Sequence, residues 1–85
     1  MSKVTIYTST RCPYCERAKN LLKRKNIAFE EINVSENEDK RAEMLSRTNG
    51  RKSVPQIFIN DQLIGGSDDL YNLDRDGKLD ALLSA

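Results

Sequence analysis

The sequence contains no histidine and only two cysteines, Cys12 and Cys15. Two cysteines so close together close too small a loop to brace a fold, so the chain is unlike the small secreted domains that depend on several disulfides. A structural zinc site usually takes four Cys or His ligands, which this chain does not supply. The cysteine pair is therefore predicted to have a chemical role, and no metal is expected.

Long apolar runs are also missing from the sequence. No stretch approaches the roughly 18 residues that a membrane-spanning helix needs, and residues 1–7 lack the apolar segment of a signal peptide. A net charge of +1 gives no reason to expect nucleic acid or an anionic membrane as a partner. These absences predict a cytoplasmic protein, which is expected to be a monomer, and a chain of 85 residues predicts a single domain over residues 1–85.

The first part of the chain has the pattern of a strand–helix–strand unit. Residues 3–7 alternate, with Val4 and Ile6 on one side, and predict a strand. A helix is predicted from residue 12 to about residue 25, because its apolar positions recur at intervals of three and four. These positions are Cys15, Ala18, Leu21 and Leu22. Residues 29–34 predict the second strand.

The rest of the chain adds a helix, a hairpin and further helical segments. Ser35 has capping-box spacing and predicts a helix to about residue 47 that buries Ala42 and Leu45. Residues 56–59 and 62–64 predict a hairpin around the turn Asn60–Asp61. Ser67 is predicted to cap a helix through residue 73, and a short helix follows. The order β-α-β-α-β-β-α predicts an α/β protein with a mixed four-stranded sheet flanked by helices, the thioredoxin-like fold.

The segment Cys12-Pro13-Tyr14-Cys15 lies where the first strand passes into the first helix. Pro13 suits the first helical position, which makes Cys12 the N-cap residue. There the positive end of the helix and its unpaired N–H groups favour the thiolate of Cys12 over the thiol. Cys15 lies one turn further and shares the same face. The alternatives are two reduced helical cysteines or half of a zinc site shared between two chains, but a strand before the pair and a helix after it favour redox chemistry.

The sequence resembles the dithiol glutaredoxins of the small bacterial type over essentially its whole length. Three motifs and the order of the elements carry this resemblance. The motifs are Tyr7-Thr8 leading to Cys12-Pro13-Tyr14-Cys15, then Ser53-Val54-Pro55 followed by Gln56-Ile57-Phe58-Ile59, and Gly65-Gly66-Ser67-Asp68-Asp69-Leu70. The resemblance implies a thiol–disulfide oxidoreductase with glutathione as co-substrate. It also implies glutathionylated and disulfide-bearing proteins as substrates, with ribonucleotide reductase as one electron acceptor.

The resemblance further implies where glutathione binds. Pro55 corresponds to a cis proline facing the cysteines, which leaves the backbone of Val54 free to pair with an extended thiol peptide. The segment Gly66 to Asp68 would bind the γ-glutamyl end, with amides on its carboxylate and Asp68 on its ammonium. The remaining glutathione-binding residues implied are Arg11, Tyr14, Arg51, Ser53 and Ser67.

One departure from the family concerns the glycine carboxylate of glutathione. Related proteins often have a lysine three residues before the first cysteine, where this chain has Ser9. Arg11, Arg51 and Lys52 are the cations available in its place.

Three other functions compete with this interpretation. A glutaredoxin-like donor recharged by thioredoxin reductase usually lacks the glutathione-binding segment that residues 65–69 retain. An iron–sulfur carrier usually has a single cysteine followed by glycine, whereas this chain has Pro13 and Cys15. A non-catalytic interaction module would leave both cysteines without a purpose.

Overall fold

The computed structural model describes residues 3–84. Its elements are β1 (Val4–Thr8), α1 (Pro13–Arg24), β2 (Glu30–Asn33), α2 (Glu38–Arg47), β3 (Gln56–Ile59), β4 (Gln62–Gly65), α3 (Ser67–Arg75) and α4 (Lys78–Ser84). The strands form one sheet in the order β2-β1-β3-β4. β1 pairs with β2 in parallel and with β3 antiparallel, and β4 completes an antiparallel hairpin. The predicted mixed four-stranded sheet is confirmed.

The apolar residues form two clusters, and successive residues of β1 divide between them. Ile6 packs in the first cluster with the buried face of α1, whereas Tyr7 packs in the second with Met44 of α2. This division follows from the strand geometry, because successive side chains point to opposite sides of a sheet. The four α1 residues predicted to be buried are all buried, namely Cys15, Ala18, Leu21 and Leu22. Within residues 3–84, every helix is too short or too polar to traverse a lipid bilayer.

The beginning and the buried face of α2 differ from the sequence prediction. Asn37, not Ser35, is the N-cap, and its side chain accepts a hydrogen bond from the Lys40 N–H at 3.2 Å. The Ser35 hydroxyl instead accepts from the Thr10 N–H at 3.1 Å, in the loop before the cysteine pair. The buried face also differs from the prediction, because Met44 is buried, whereas Ala42 is exposed and Leu45 only partly buried.

The hairpin prediction is confirmed in its turn as well as its strands. Asn60 and Asp61 both have positive φ angles, of 53° and 65°. A two-residue turn with this conformation matches the twist of the paired strands, and Asn and Asp tolerate it better than most residues.

A buried tyrosine joins α2 to the sheet. The Tyr7 hydroxyl donates to Glu43 Oε2 at 2.5 Å and accepts from Arg47 Nη1 at 2.7 Å. The Arg47 guanidinium also lies 4.0 Å from the centroid of the Phe58 ring. Burial, helped by the hydrogen bond to Glu43, raises the pKa of the Tyr7 hydroxyl above 10.0. The neutral form of Tyr7 is therefore the one that the fold stabilises.

Tyr7→Phe is expected to lower the free energy of unfolding at neutral pH by about 1–3 kcal/mol, because it removes hydrogen bonds to two charged groups. The folded-state pKa of Tyr7 exceeds its unfolded value of 10.0. This pKa difference stabilises the folded protein fully below pH 10.0. The stabilisation is lost as the pH rises through the folded-state pKa of Tyr7. Urea denaturation of both proteins across this range tests the prediction, and a stability difference that grows with pH would contradict it.

Candidate active site

Cys12 and Cys15 lie at the N-terminus of α1 and are joined as a disulfide. Cys12 is the N-cap, Pro13 is the first helical residue, and the Cys15 N–H points to Cys12 Sγ at 3.2 Å. Cys12 is partly exposed, whereas Cys15 is 1% exposed. The two sulfurs therefore differ as the sequence predicts, since only Cys12 is accessible to a substrate and close to the positive end of the helix.

The loop that leads from β1 to Cys12 is held by neighbouring backbone and side chains. The Val34 N–H donates to the Thr8 carbonyl at 2.8 Å, and Thr10 is held by Ser35 as described above. Arg11 has a φ of 60° and is exposed. The chain thus turns sharply at Arg11, just before Cys12. Arg11 forms this turn and does not line the groove described below.

A partly buried lysine ties α1 to β2. Lys19 Nζ lies 3.0 Å from Glu31 and 3.1 Å from Glu16, and the Thr8 hydroxyl donates to Glu31 at 2.9 Å. Burial lowers the pKa of Lys19, but the hydrogen bonds to Glu31 and Glu16 outweigh it, so the pKa is raised. Burial likewise raises the pKa of Glu31, and the bonds from Lys19 and Thr8 outweigh it, so this pKa is lowered. These bonds keep α1, and with it Cys12, in a fixed position against the sheet.

The segment before β3 faces the cysteine pair. The Val54–Pro55 bond is cis, as the resemblance implies, and Cys12 Sγ lies 3.8 Å from the Val54 carbonyl oxygen. The buried Gln56 side chain donates to both the carbonyl and the hydroxyl of Ser53, at 2.9 and 3.1 Å. Gln56 therefore braces residues 53–56 in the conformation that brings Val54 to the sulfur.

The start of α3 differs from the prediction by one residue. Gly66 is the N-cap, and its N–H donates to Asp69 Oδ2 at 3.0 Å. Ser67 is therefore the first residue of the helix rather than its cap. Its hydroxyl is buried and has no hydrogen-bond partner within residues 3–84. Asp69 replaces the serine as the side chain that stabilises the helix end.

These segments enclose a groove of about 200 Å³ beside Cys12. All of the predicted glutathione-binding residues except Arg11 line it, and Asp69 lines it in addition. The lining residues are Tyr14, Arg51, Ser53, Val54, Pro55, Gly66, Ser67, Asp68 and Asp69. Arg51 gives the groove a cation, and Asp68 and Asp69 give it two exposed carboxylates, of which Asp69 already accepts the Gly66 N–H. A larger cavity of about 640 Å³ lies between β4 and the last two helices, but no cysteine lines it.

Two residues that position the groove were not predicted from the sequence. The buried Thr48 hydroxyl accepts from the Arg51 N–H at 3.1 Å and donates to the Met44 carbonyl at 2.7 Å, which fixes Arg51 relative to the end of α2. Gln56 braces Ser53 from within β3. A polar residue directly after a helix and another inside an apolar strand are the signals that point to such roles.

The side chains of the types that can bind a metal ion lie apart from one another in the described part of the chain. Across residues 3–84, no three His, Cys, Asp or Glu side chains form a group that could hold a metal ion.

Comparison with known proteins identifies the family. The glutaredoxin family model matches residues 4–64. Glutaredoxin 3 of Escherichia coli K12 is 55% identical over 83 residues, which cover 98% of this chain and 99% of that protein. A probable glutaredoxin of Synechocystis is 52% identical over 82 residues, which cover 96% and 93% of the two chains.

Solved structures agree with these relatives. The buckwheat glutaredoxin–glutathione complex superposes with a TM-score of 0.87 at 30% identity, covering 98% of this chain and 77% of that chain. The solution structure of Brucella melitensis glutaredoxin superposes with a TM-score of 0.82 at 53% identity, covering 95% and 87%. The chain therefore belongs to the glutaredoxin family of thiol–disulfide oxidoreductases, with Cys12 and Cys15 as its redox-active pair.

Proposed function

We propose that this protein uses glutathione to reduce protein–glutathione mixed disulfides and protein disulfides. The observation that supports the proposal most directly is the groove beside Cys12, which is lined by the cation Arg51, the carboxylates Asp68 and Asp69, and the Val54 segment. Glutathione is an extended peptide with carboxylates at both ends and one ammonium group. The solved complex of a buckwheat relative with glutathione supports the same ligand.

The reaction begins with the Cys12 thiolate of the reduced protein. This thiolate attacks the glutathione sulfur of a mixed disulfide, and the repaired protein leaves as its thiolate, which takes a proton from water. A second glutathione thiolate then attacks the glutathionyl sulfur on Cys12, so oxidised glutathione forms and the Cys12 thiolate is released. The Cys15 N–H, 3.2 Å from Cys12 Sγ, and the helix N-terminus stabilise that thiolate as nucleophile and as leaving group.

A protein disulfide takes a second route through the same pair. Cys12 attacks one sulfur of the substrate and forms a mixed disulfide, and Cys15 then attacks Cys12 to release the reduced substrate. The Cα atoms of the two cysteines are 5.2 Å apart, within the usual range for a disulfide. Two glutathione molecules afterwards reduce the Cys12–Cys15 disulfide and leave as oxidised glutathione.

The groove provides a partner for each charged end of glutathione. The Val54 backbone pairs with the cysteinyl segment as an added strand would. The N–H groups of Ser67 and Asp68 at the start of α3, with the unpaired Ser67 hydroxyl, bind the γ-glutamyl carboxylate. Asp68 binds the ammonium group. Arg51 is the one candidate cation for the glycine carboxylate that lines the groove, whereas Arg11 and Lys52 do not line it.

Asp68→Asn is expected to raise the KM for glutathione about tenfold with a smaller change in kcat, because it removes a charged hydrogen-bond partner of the ammonium group. Steady-state kinetics with varied glutathione measure the effect. Asp39→Asn is the matched control, since Asp39 is also an exposed aspartate in the first turn of a helix. An equal change in both variants would contradict the proposed contact.

Turnover of a glutathionylated peptide tests the function itself. We expect reduction to proceed with glutathione, glutathione reductase and NADPH, and to be much slower when thioredoxin reductase replaces them. The opposite preference would identify the alternative, a donor recharged by thioredoxin reductase.

Purification without oxygen, followed by a visible spectrum, tests the iron–sulfur carrier, and a stable absorbing cluster would favour it.

The setting of this activity follows from the same chemistry. A glutathione pool sufficiently reducing to regenerate the pair is found in the cytoplasm, where we place the protein as a monomer.

Family resemblance alone supports ribonucleotide reductase as an electron acceptor. A reconstituted assay, in which this protein and glutathione sustain that enzyme, tests the assignment.

A further inference from the structure

Arg17 is held between two aromatic rings on the surface of α1. Its guanidinium carbon lies 5.9 Å from the centroid of the Tyr14 ring and 5.1 Å from that of Tyr71. Tyr14 precedes it by three residues, so both lie on one face of the helix. The Tyr71 hydroxyl also donates to the Arg17 carbonyl at 3.1 Å. An exposed arginine side chain is thus stacked in a defined position rather than free in solvent.

The ring on which Arg17 stacks adjoins the reacting sulfur. Tyr14 lies inside the Cys-Pro-Tyr-Cys turn and lines the groove. It is 56% exposed, and no other large hydrophobic side chain in the described part of the chain is exposed. A protein whose disulfide reaches Cys12 must pass over or beside this ring. Tyr14 and Arg17 are therefore placed to contact the substrate outside the groove.

The charge of this surface is not neutralised by the carboxylates of residues 3–84. The ion pairs among residues 3–84 use Lys19, Lys25, Lys40, Arg47 and Arg75 as their cations. No carboxylate of these residues lies within 4.0 Å of Arg17 or of Arg11, the exposed residue before Cys12. The Arg17 guanidinium therefore adjoins the exposed Tyr14 ring without a neutralising carboxylate among residues 3–84.

We infer that Tyr14 and Arg17 form a docking platform for protein substrates whose reactive cysteine lies in an acidic segment. The inference rests on the proposed function, because it concerns the protein half of the mixed disulfide. A guanidinium stacked on aromatic rings keeps its N–H edge available for bidentate bonds to carboxylates. Because the rings already restrict its side chain, Arg17 loses less conformational freedom when a substrate binds.

Two glutathionylated peptides test the platform. They share one sequence, except that the cysteine is flanked by glutamates in the first and by glutamines in the second. At low ionic strength we expect kcat/KM for the glutamate peptide to exceed that for the glutamine peptide about fivefold. Arg17→Gln is expected to bring this ratio close to one, and molar salt is expected to do the same in the wild type.

Matched variants separate the platform from other effects. Arg24→Gln removes the same charge from an exposed position at the far end of α1, and it should keep the wild-type ratio. Arg17→Lys retains the charge without the planar edge, so an intermediate ratio is expected. Tyr71→Leu should lower the ratio, whereas Tyr71→Phe, which keeps the ring, should preserve it.

The outcomes distinguish this inference from the proposed function. If neither peptide is reduced with glutathione, the proposed function fails. If both are reduced at equal rates by the wild type, or Arg17→Gln leaves the ratio unchanged, only the platform is overturned and Arg17 is an internal brace between α1 and α3. Stronger inhibition by a single-stranded RNA oligonucleotide than by the unmodified glutamate peptide would assign the surface to nucleic acid and would also overturn it.

Discussion

Cys12→Ser is expected to lose at least about a thousandfold in turnover of both glutathionylated peptides and protein disulfides, as happens when a catalytic nucleophile is removed. A serine hydroxyl at the N-cap of α1 stays protonated at neutral pH, so no nucleophile replaces the thiolate. Coupled assays with glutathione measure both activities, and circular dichroism shows whether the variant folds. Because Cys12 is partly exposed, the substitution should leave the fold intact.

Cys15→Ser is the matched variant within the same turn. It should retain the reduction of glutathionylated peptides within a fewfold, because that route uses only Cys12. It should lose most reduction of protein disulfides, because the mixed intermediate is no longer resolved from within the pair. Retained activity in Cys12→Ser would overturn the assignment of the nucleophile, and equal loss of both activities in Cys15→Ser would overturn the separation of the two routes.

Gly65→Ala is expected to lower the free energy of unfolding by about 2–3 kcal/mol. Gly65 has a φ of 121°, a conformation that costs a residue with a side chain about 1–3 kcal/mol. Its added methyl group would also collide with the Asp69 carboxylate. That carboxylate accepts the Gly66 N–H, so its displacement also removes a helix cap worth about 1 kcal/mol.

Gly66→Ala is the control for this prediction. Its φ of −95° is open to any residue, and the nearest atom to an added methyl group is the Pro55 carbonyl oxygen at 3.6 Å, an ordinary contact. We expect a loss of at most about 1 kcal/mol, because alanine is less favoured than glycine at an N-cap. Urea denaturation of both variants gives the comparison. A larger loss in Gly66→Ala than in Gly65→Ala would show that Asp69 does not hold the start of α3.

Local pattern was sufficient to predict the elements and the reactive pair. Pro13 marks the first helical position, and the apolar spacing after it predicts the buried face of α1, including the unequal exposure of Cys12 and Cys15. Both features depend on residues within a few positions of each other, so backbone geometry alone relates them. The hairpin turn at Asn60–Asp61 was predictable for the same reason.

Two errors in the prediction have one physical origin. Ser35 and Ser67 both have the sequence of a helix cap, but neither caps a helix in the structure. Ser35 instead holds the Thr10 N–H from another part of the chain, and Asp69 takes the role predicted for Ser67. A hydroxyl can accept from any nearby N–H, and tertiary contacts decide which one it meets.

The cysteine pair was therefore determined by the sequence itself, whereas the groove beside it was decided by tertiary structure. Residues 12–15 are contiguous, so a strand followed by a helix suffices to place them. The groove joins residues from α1, the loop before β3 and the start of α3, whose distances depend on how the sheet and helices pack. That packing selected Arg51 for the groove and left Arg11 outside it, because side chains that meet across elements are related by the fold rather than by their spacing in the chain.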